Sequence, residues 1–231
     1  MSFDFEKHKS VMLKILKDIF TDTAIAPYLG FKGGTAAMLF YDLPRHSVDL
    51  DFDILDTDKE DLVFERVKNI VSKYGEVTES VIKRHNILIV ISYSAGLPQL
   101  KIDINRQQFG SQYEYKNLLG IPMQVMTKPD MFAHKLMAMY ERIGKTSRDV
   151  FDVRFFAENG WEVNKEMVER RSGKSFTATL EACIKAVEKL PDSRILEGLG
   201  ELLDDRQKDS TRAKLKNDTI FILKLMIELR Q

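Results

Sequence analysis

Residues 48–54, Val-Asp-Leu-Asp-Phe-Asp-Ile, alternate apolar and acidic side chains with a period of two. Such a stretch constrains the fold strongly. On a β-strand, positions i, i+2 and i+4 face the same way, so Leu50, Phe52 and Ile54 form a core face and Asp49, Asp51 and Asp53 the opposite one. Aspartate is depleted in strands and like charges on one face repel. A cation among the carboxylates is therefore expected, with magnesium the natural choice; the plainer reading is a solvated face that keeps a sheet edge soluble. A second acid on an apolar run, Asp103 between Ile102 and Ile104, repeats the pattern. If the two strands are neighbours, Asp49, Asp51 and Asp103 converge, and three carboxylates can hold two hard cations roughly 3.5 to 4 Å apart.

Just ahead of the acidic strand, Gly33-Gly34-Thr35 opens a helix that runs to about Tyr41 and is stopped by Pro44. The glycines admit a ligand close to the backbone, and the free N–H groups of the helix start suit an anion such as a triphosphate. Two other tempting phosphate loops fail. Gly144-Lys145-Thr146 and Gly173-Lys174-Ser175 have Met139 and Val168 where a P-loop needs its first glycine.

The rest of the chain reads as a mixed body followed by helices. The spacing of Val11, Leu13, Ile15, Leu16 and Ile19 predicts an amphipathic helix over 4–19 that packs on the sheet, and a charged helix is expected from about Asp58 to Lys73. "GEVTESVIKR", "NILIVISYS" and "LPQLKIDINR" read as an antiparallel meander broken at Arg84-His85-Asn86 and Ala95-Gly96. Thr127 and Pro129 start a helix through Arg142, and a second over 147–159 ends at Gly160. From about Asn164 the text is helical: a segment stopped by Pro191, a short helix near 195–203 and a long one from Ala213. The expected class is α+β, with an α/β core over 1–125 and a helical region over 126–231.

Composition excludes several functions. The 35 basic and 35 acidic residues cancel, so a nucleic-acid partner must be met by a local patch such as residues 169–174 or 212–216. One cysteine, Cys183, supports neither an internal disulfide nor a cysteine zinc site. With no apolar run near the roughly 20 residues of a membrane span and no signal-peptide core, the expectation is a cytoplasmic protein with no membrane partner.

The glycine turn, "RHSVDLDFDIL", "KIDI" and "HKLMAMYERIGKTSRDVFDV" together resemble the AbiEii/AbiGii toxin family of nucleotidyltransferases, a branch of the DNA polymerase β-like superfamily, over roughly residues 29 to 158. The resemblance implies a polymerase β-like core with a mixed or antiparallel sheet. It also implies transfer of a nucleoside monophosphate from a nucleoside triphosphate, with two Mg2+ ions on Asp49, Asp51 and Asp103. Gly34 and Thr35, with Gly33, occupy the phosphate-binding turn, and Arg45 and Ser47 belong to the nucleotide-binding motif. Asp103 is the third carboxylate, able to take the acceptor's proton. Lys135 neutralises phosphate charge, and Asp149 and Asp152 form the later acidic motif. The implied setting is a toxin–antitoxin or abortive-infection system with an RNA, tRNA-like acceptor and a cognate antitoxin. Two rival readings stay open: a nucleotide-binding regulatory module without catalysis, and transfer to a protein side chain.

Around these motifs, Lys135, Met139 and Arg142 share one helix face and Asp149 and Asp152 another. Cations and acids can therefore meet across the helix pair, on phosphate or simply as a salt-bridge cluster. Asp53 is expected near the metal pair but outside it, or at the surface. His46 lies beside the motif, while His8, His85 and His134 lack metal spacing.

Overall fold

The computed structural model describes residues 4–95 and 98–229. Gly96, half of one expected break, lies outside the described residues. The chain divides into two units, the first extending to Thr127 and the second beginning at Lys128.

In the first unit, strands β1 (Leu29–Lys32), β2 (Leu50–Ile54), β3 (Glu76–Ile82), β4 (Asn86–Ser92), β5 (Leu100–Asn105), β6 (Tyr113–Leu118) and β7 (Ile121–Met126) form one sheet. Its order is β3-β4-β5-β2-β1-β7-β6. β3, β4 and β5 are the expected antiparallel meander. β2 joins it parallel to β5 and antiparallel to β1, and β1 runs parallel to β7. The register sorts side chains into two chemistries. Phe31, Phe52, Ile104 and Ile87 are successive partners across four strands, and all are fully buried. The adjoining row, Lys32, Asp51 and Asp103, is charged. One sheet is thus apolar on the face that Phe31 and Phe52 share and acidic on the other, as the alternation in β2 requires.

Helix α1 (Phe5–Thr21), capped by the Asp4 carboxylate on the Lys7 N–H, covers the apolar face. Its Phe20 ring lies 6.4 Å from Phe31 and 6.2 Å from Phe52. Burying each such ring is worth roughly 1.5–3 kcal/mol. Helix α2 (Gly33–Phe40) follows β1 directly, and α3 (Glu60–Val71) packs against α1. The acidic strand is shorter than the alternation suggests. β1 ends at Lys32, opposite Asp51, because the chain turns there into α2, so Asp49 has no ladder partner on that side.

The second unit is helical: α4 (Lys128–Arg142), α5 (Arg148–Glu158), α6 (Lys165–Ser172), α7 (Phe176–Glu188) and α8 (Asp205–Glu228). Gly173 closes α6 in the left-handed conformation, which explains the glycine of that false phosphate loop. The short helix expected near 195–203 is instead turns flanked by 3-10 segments at Asp192–Arg194 and Gly200–Leu202. Glycines 198 and 200 break the periodicity there. Helix α8 starts earlier than expected because Asp204 and Gln207 form a reciprocal capping box. Cys183 is buried, its thiol pushed up to about 12 by desolvation, and behaves as a small hydrophobe.

Candidate active site

The site is built where β1 gives way to α2, beside β2 and β5. Gly33 sits at φ 76°, a left-handed conformation suited to glycine. A methyl group there would collide with the Asp51 carboxylate, so Asp51 lies directly against the turn. At Gly34 a methyl would come within 2.7 Å of Ser47 Oγ and 2.8 Å of the Arg45 guanidinium. Both of those side chains are buried, and Arg45 is also held by the His46 carbonyl at 2.8 Å. Thr35, fully buried, donates its hydroxyl to the Asp49 carbonyl at 2.5 Å. Gly33, Gly34, Thr35, Arg45, Ser47, Asp49 and Asp51, dispersed over nineteen positions of sequence, thus share one neighbourhood.

Asp103 joins it across the sheet. It is the direct partner of Asp51 in the parallel β2–β5 ladder, so both carboxylates rise from the same face. Its Oδ2 accepts a 2.7 Å bond from the Asn86 amide. Asp49 is the residue before β2, half-buried like the other two. Among the described residues, no three His, Cys, Asp or Glu side chains close into a ready-made metal cage. The donor set is one in-register carboxylate pair with a third acid two residues upstream. That suits magnesium, which is usually held by one or two carboxylates plus substrate phosphates and keeps several waters.

Asp53 is neither at the surface nor part of the pair. It is buried and accepts from Lys32 Nζ at 2.5 Å, from Asn105 Nδ2 at 2.6 Å and from the Tyr113 hydroxyl. Tyr113 reaches it by lying flat against Gly30, where a side chain would clash with the ring. Lys32 therefore stands between the fixed charge of Asp53 and its ladder partner Asp51.

Sequence reasoning passed over several supporting residues. Buried His8 places Nε2 2.7 Å from the Val48 carbonyl and Nδ1 2.5 Å from the Tyr93 hydroxyl. A carbonyl only accepts, so Nε2 carries the proton and Nδ1 accepts from Tyr93. Burial lowers the pKa of His8, against the upward pull of the Val48 carbonyl and the Asp49 charge. His8 thus ties α1 to the residue preceding Asp49. A sequence sign of such support existed for Asn105, which shares the strand face of Asp103 two residues away. None existed for His8. His46 lies against Phe5, ring centroids 3.6 Å apart and planes tilted by 33°.

The second unit carries the remaining candidates. Lys135 Nζ lies 2.8 Å from Asp152 and 3.3 Å from Asp149, and Arg142 reaches Asp149 at 2.8 Å. Both aspartates are buried, and the four charges cancel. Across α4 and α5 the later acidic motif is paired with Lys135 and Arg142.

Over its whole length the fold is similar to two solved chains. One, from H. pylori and described as a nucleotidyltransferase, aligns with a TM-score of 0.61 at 22% identity, covering 99% of this chain and 99% of that one. The other, JHP933 from Helicobacter pylori, gives 0.59 at 21% identity and covers 100% of this chain and 96% of that one. This is the mixed α+β fold of nucleotidyltransferases. The family model "Nucleotidyl transferase AbiEii toxin, Type IV TA system" matches residues 14–221, and the chain belongs to that family. The match extends through the C-terminal helices, which carry no motif of their own. No curated protein matches the sequence. Among the described residues, no helix is long and apolar enough to cross a membrane.

Proposed function

We propose that this protein transfers a nucleoside monophosphate from a nucleoside triphosphate to a hydroxyl of an RNA acceptor, and that it acts as the toxin of a two-gene system whose antitoxin counteracts it. One observation carries the reading: the Asp51–Asp103 pair, in register on adjacent parallel strands, lies against the left-handed turn at Gly33. A structural acidic face would not need a glycine there to make room for the carboxylate.

The chemistry follows from the residues in place. The amides of the α2 start, with buried Arg45 and Ser47 behind Gly34, bind and orient the β and γ phosphates and stabilise the leaving pyrophosphate. Asp51, Asp103 and Asp49 would hold magnesium. Bound there, the ion would supply charge neutralisation at the α-phosphate and acidify the acceptor hydroxyl. Asp103 accepts the proton of that hydroxyl, with Asn86 fixing its carboxylate. Lys32, committed to Asp53, keeps the net charge of the acidic face down without competing for substrate. No covalent enzyme intermediate is required.

The test is incubation of the pure protein with each α-labelled nucleoside triphosphate, magnesium and either total RNA or total cell protein. Label on RNA that disappears with Asp51→Asn, at least about a hundredfold, with folding unchanged by circular dichroism, is the expected result. Label on protein would replace the acceptor class. Nucleotide binding without transfer would make the protein a binding module.

A further inference from the structure

A second concave surface lies in the first unit, away from the acidic strand. The outward face of α1, with Lys9, Leu13, Lys14 and Lys17, and the β6–β7 hairpin, with Leu118, Leu119 and Ile121, line a groove of about 700 Å³. The α1 residues recur at helical spacing opposite the buried stripe of Met12, Ile15, Leu16 and Ile19. Leu13 is thus an apolar residue on the helix's outer side.

Two independent features mark this groove as more than a crease. Leu119, at the hairpin tip, is 81% exposed and sits at φ 52°, a left-handed conformation that a leucine adopts only at a cost. Glycine or asparagine would serve the turn better, so in the isolated chain the leucine gains nothing from its place. The rim charge is also unbalanced in a chain of net charge zero. The acids that follow on α1 and at its end are committed elsewhere: Asp18 to Tyr74 and Lys73, Asp22 to Arg66. Among the described residues no ion pair engages Lys9, Lys14 or Lys17, and Glu6 adds one negative charge to three positive ones.

We propose that this groove docks an acidic amphipathic helix of a protein partner. An apolar stripe would fill the leucine-lined floor and flanking carboxylates would meet the lysines, the helix-in-groove mode of recognition. The α1 wall from Glu6 to Thr21 is about 22 Å long at 1.5 Å per residue, enough for four turns of a facing helix. RNA is a poorer occupant, because the lining holds no aromatic side chain on which a base could stack. A flat lipid surface would reach the leucine tip but not the floor.

The test uses the full chain and a labelled, capped helical peptide of about 16 residues, with leucines at i, i+3, i+4 and i+7 flanked by glutamates. Its twins carry lysines for the glutamates, or serines for the leucines. Fluorescence anisotropy should detect only the acidic leucine peptide. Binding should weaken roughly tenfold or more in Lys14→Glu/Lys17→Glu and to a similar extent in Leu119→Gly. The glycine relieves the left-handed strain, so the thermal midpoint of Leu119→Gly should equal or exceed that of the parent, which separates lost binding from lost folding. Equal binding of the acidic and basic peptides, or of neither, overturns the proposal. So does binding of RNA or anionic vesicles, or concentration-dependent dimerisation, that these same substitutions abolish, since each assigns the groove to a different occupant.

Discussion

Gly34 shows how little room the candidate site leaves. Replacing a glycine by alanine within a helix ordinarily stabilises by up to about 1 kcal/mol. Here the added methyl would press on Ser47 and on a buried guanidinium at 2.7 and 2.8 Å, and overpacking of this kind costs about 1–3 kcal/mol. The second effect wins. Gly34→Ala should lower stability by about 1 kcal/mol and, by displacing Arg45, weaken nucleoside triphosphate binding roughly tenfold, read by calorimetry on the unlabelled nucleotide. Unchanged affinity would remove Arg45 and Ser47 from the phosphate site. Most of this neighbourhood was legible in the sequence, because glycine pairs and alternating acids announce backbone geometry directly. Asp53 was not, since its partners Lys32, Asn105 and Tyr113 lie on three different strands and only the sheet order assembles them.

Among the elements, long periodic segments were the readable ones: α4 spans the residues its proline start and charged end suggest, and the β3–β5 meander follows its alternation. Strand β1 escaped because four residues that include a glycine carry no period. The β6–β7 hairpin escaped because its tip is Leu119-Gly120 rather than Asn-Gly and because Pro122 argues against a strand, a penalty that β7 tolerates here at its second residue. The α4–α5 junction makes a prediction in its own right. Lys135, 16% exposed, pairs with Asp152 and shares Asp149 with Arg142. Lys135→Met would remove the ammonium 2.8 Å from the buried Asp152 carboxylate, and breaking one side of such a pair costs about 3 kcal/mol or more. Urea denaturation should show that loss in the helical unit. The double variant Lys135→Met/Asp152→Leu, which removes both charges, should recover much of it. A single variant as stable as the parent would mean that the cluster is a surface network after all.

For the molecule as a whole, folding stability should carry a signature of His8. Its folded pKa lies below the ordinary imidazole value of about 6.5 because burial outweighs the Val48 carbonyl and the Asp49 charge. The unfolded chain therefore takes up a proton near pH 6.5 that the folded chain refuses, and stability rises with pH wherever the unfolded state binds more protons. The contribution is complete above about pH 6.5. It is lost as the pH falls from there towards the lower folded pKa. Groups facing the imidazole include the Tyr93 hydroxyl and Asp49, with Asp4 acting in turn on Tyr93. Glutamine at position 8 keeps a donor for Val48 but cannot titrate, so the difference in unfolding free energy between the parent and His8→Gln should shrink on acidification from pH 7.5 to 5, as read by urea titration at each pH. A difference independent of pH would show that the imidazole takes up its proton equally in the folded and unfolded chain, and one that grew on acidification would show that the folded chain holds the imidazolium, with the His8–Tyr93 bond then running to the hydroxyl oxygen. Because the Val48 carbonyl precedes Asp49, the same substitution also reports whether the link from α1 keeps the acidic strand in place at neutral pH, where titration plays no part.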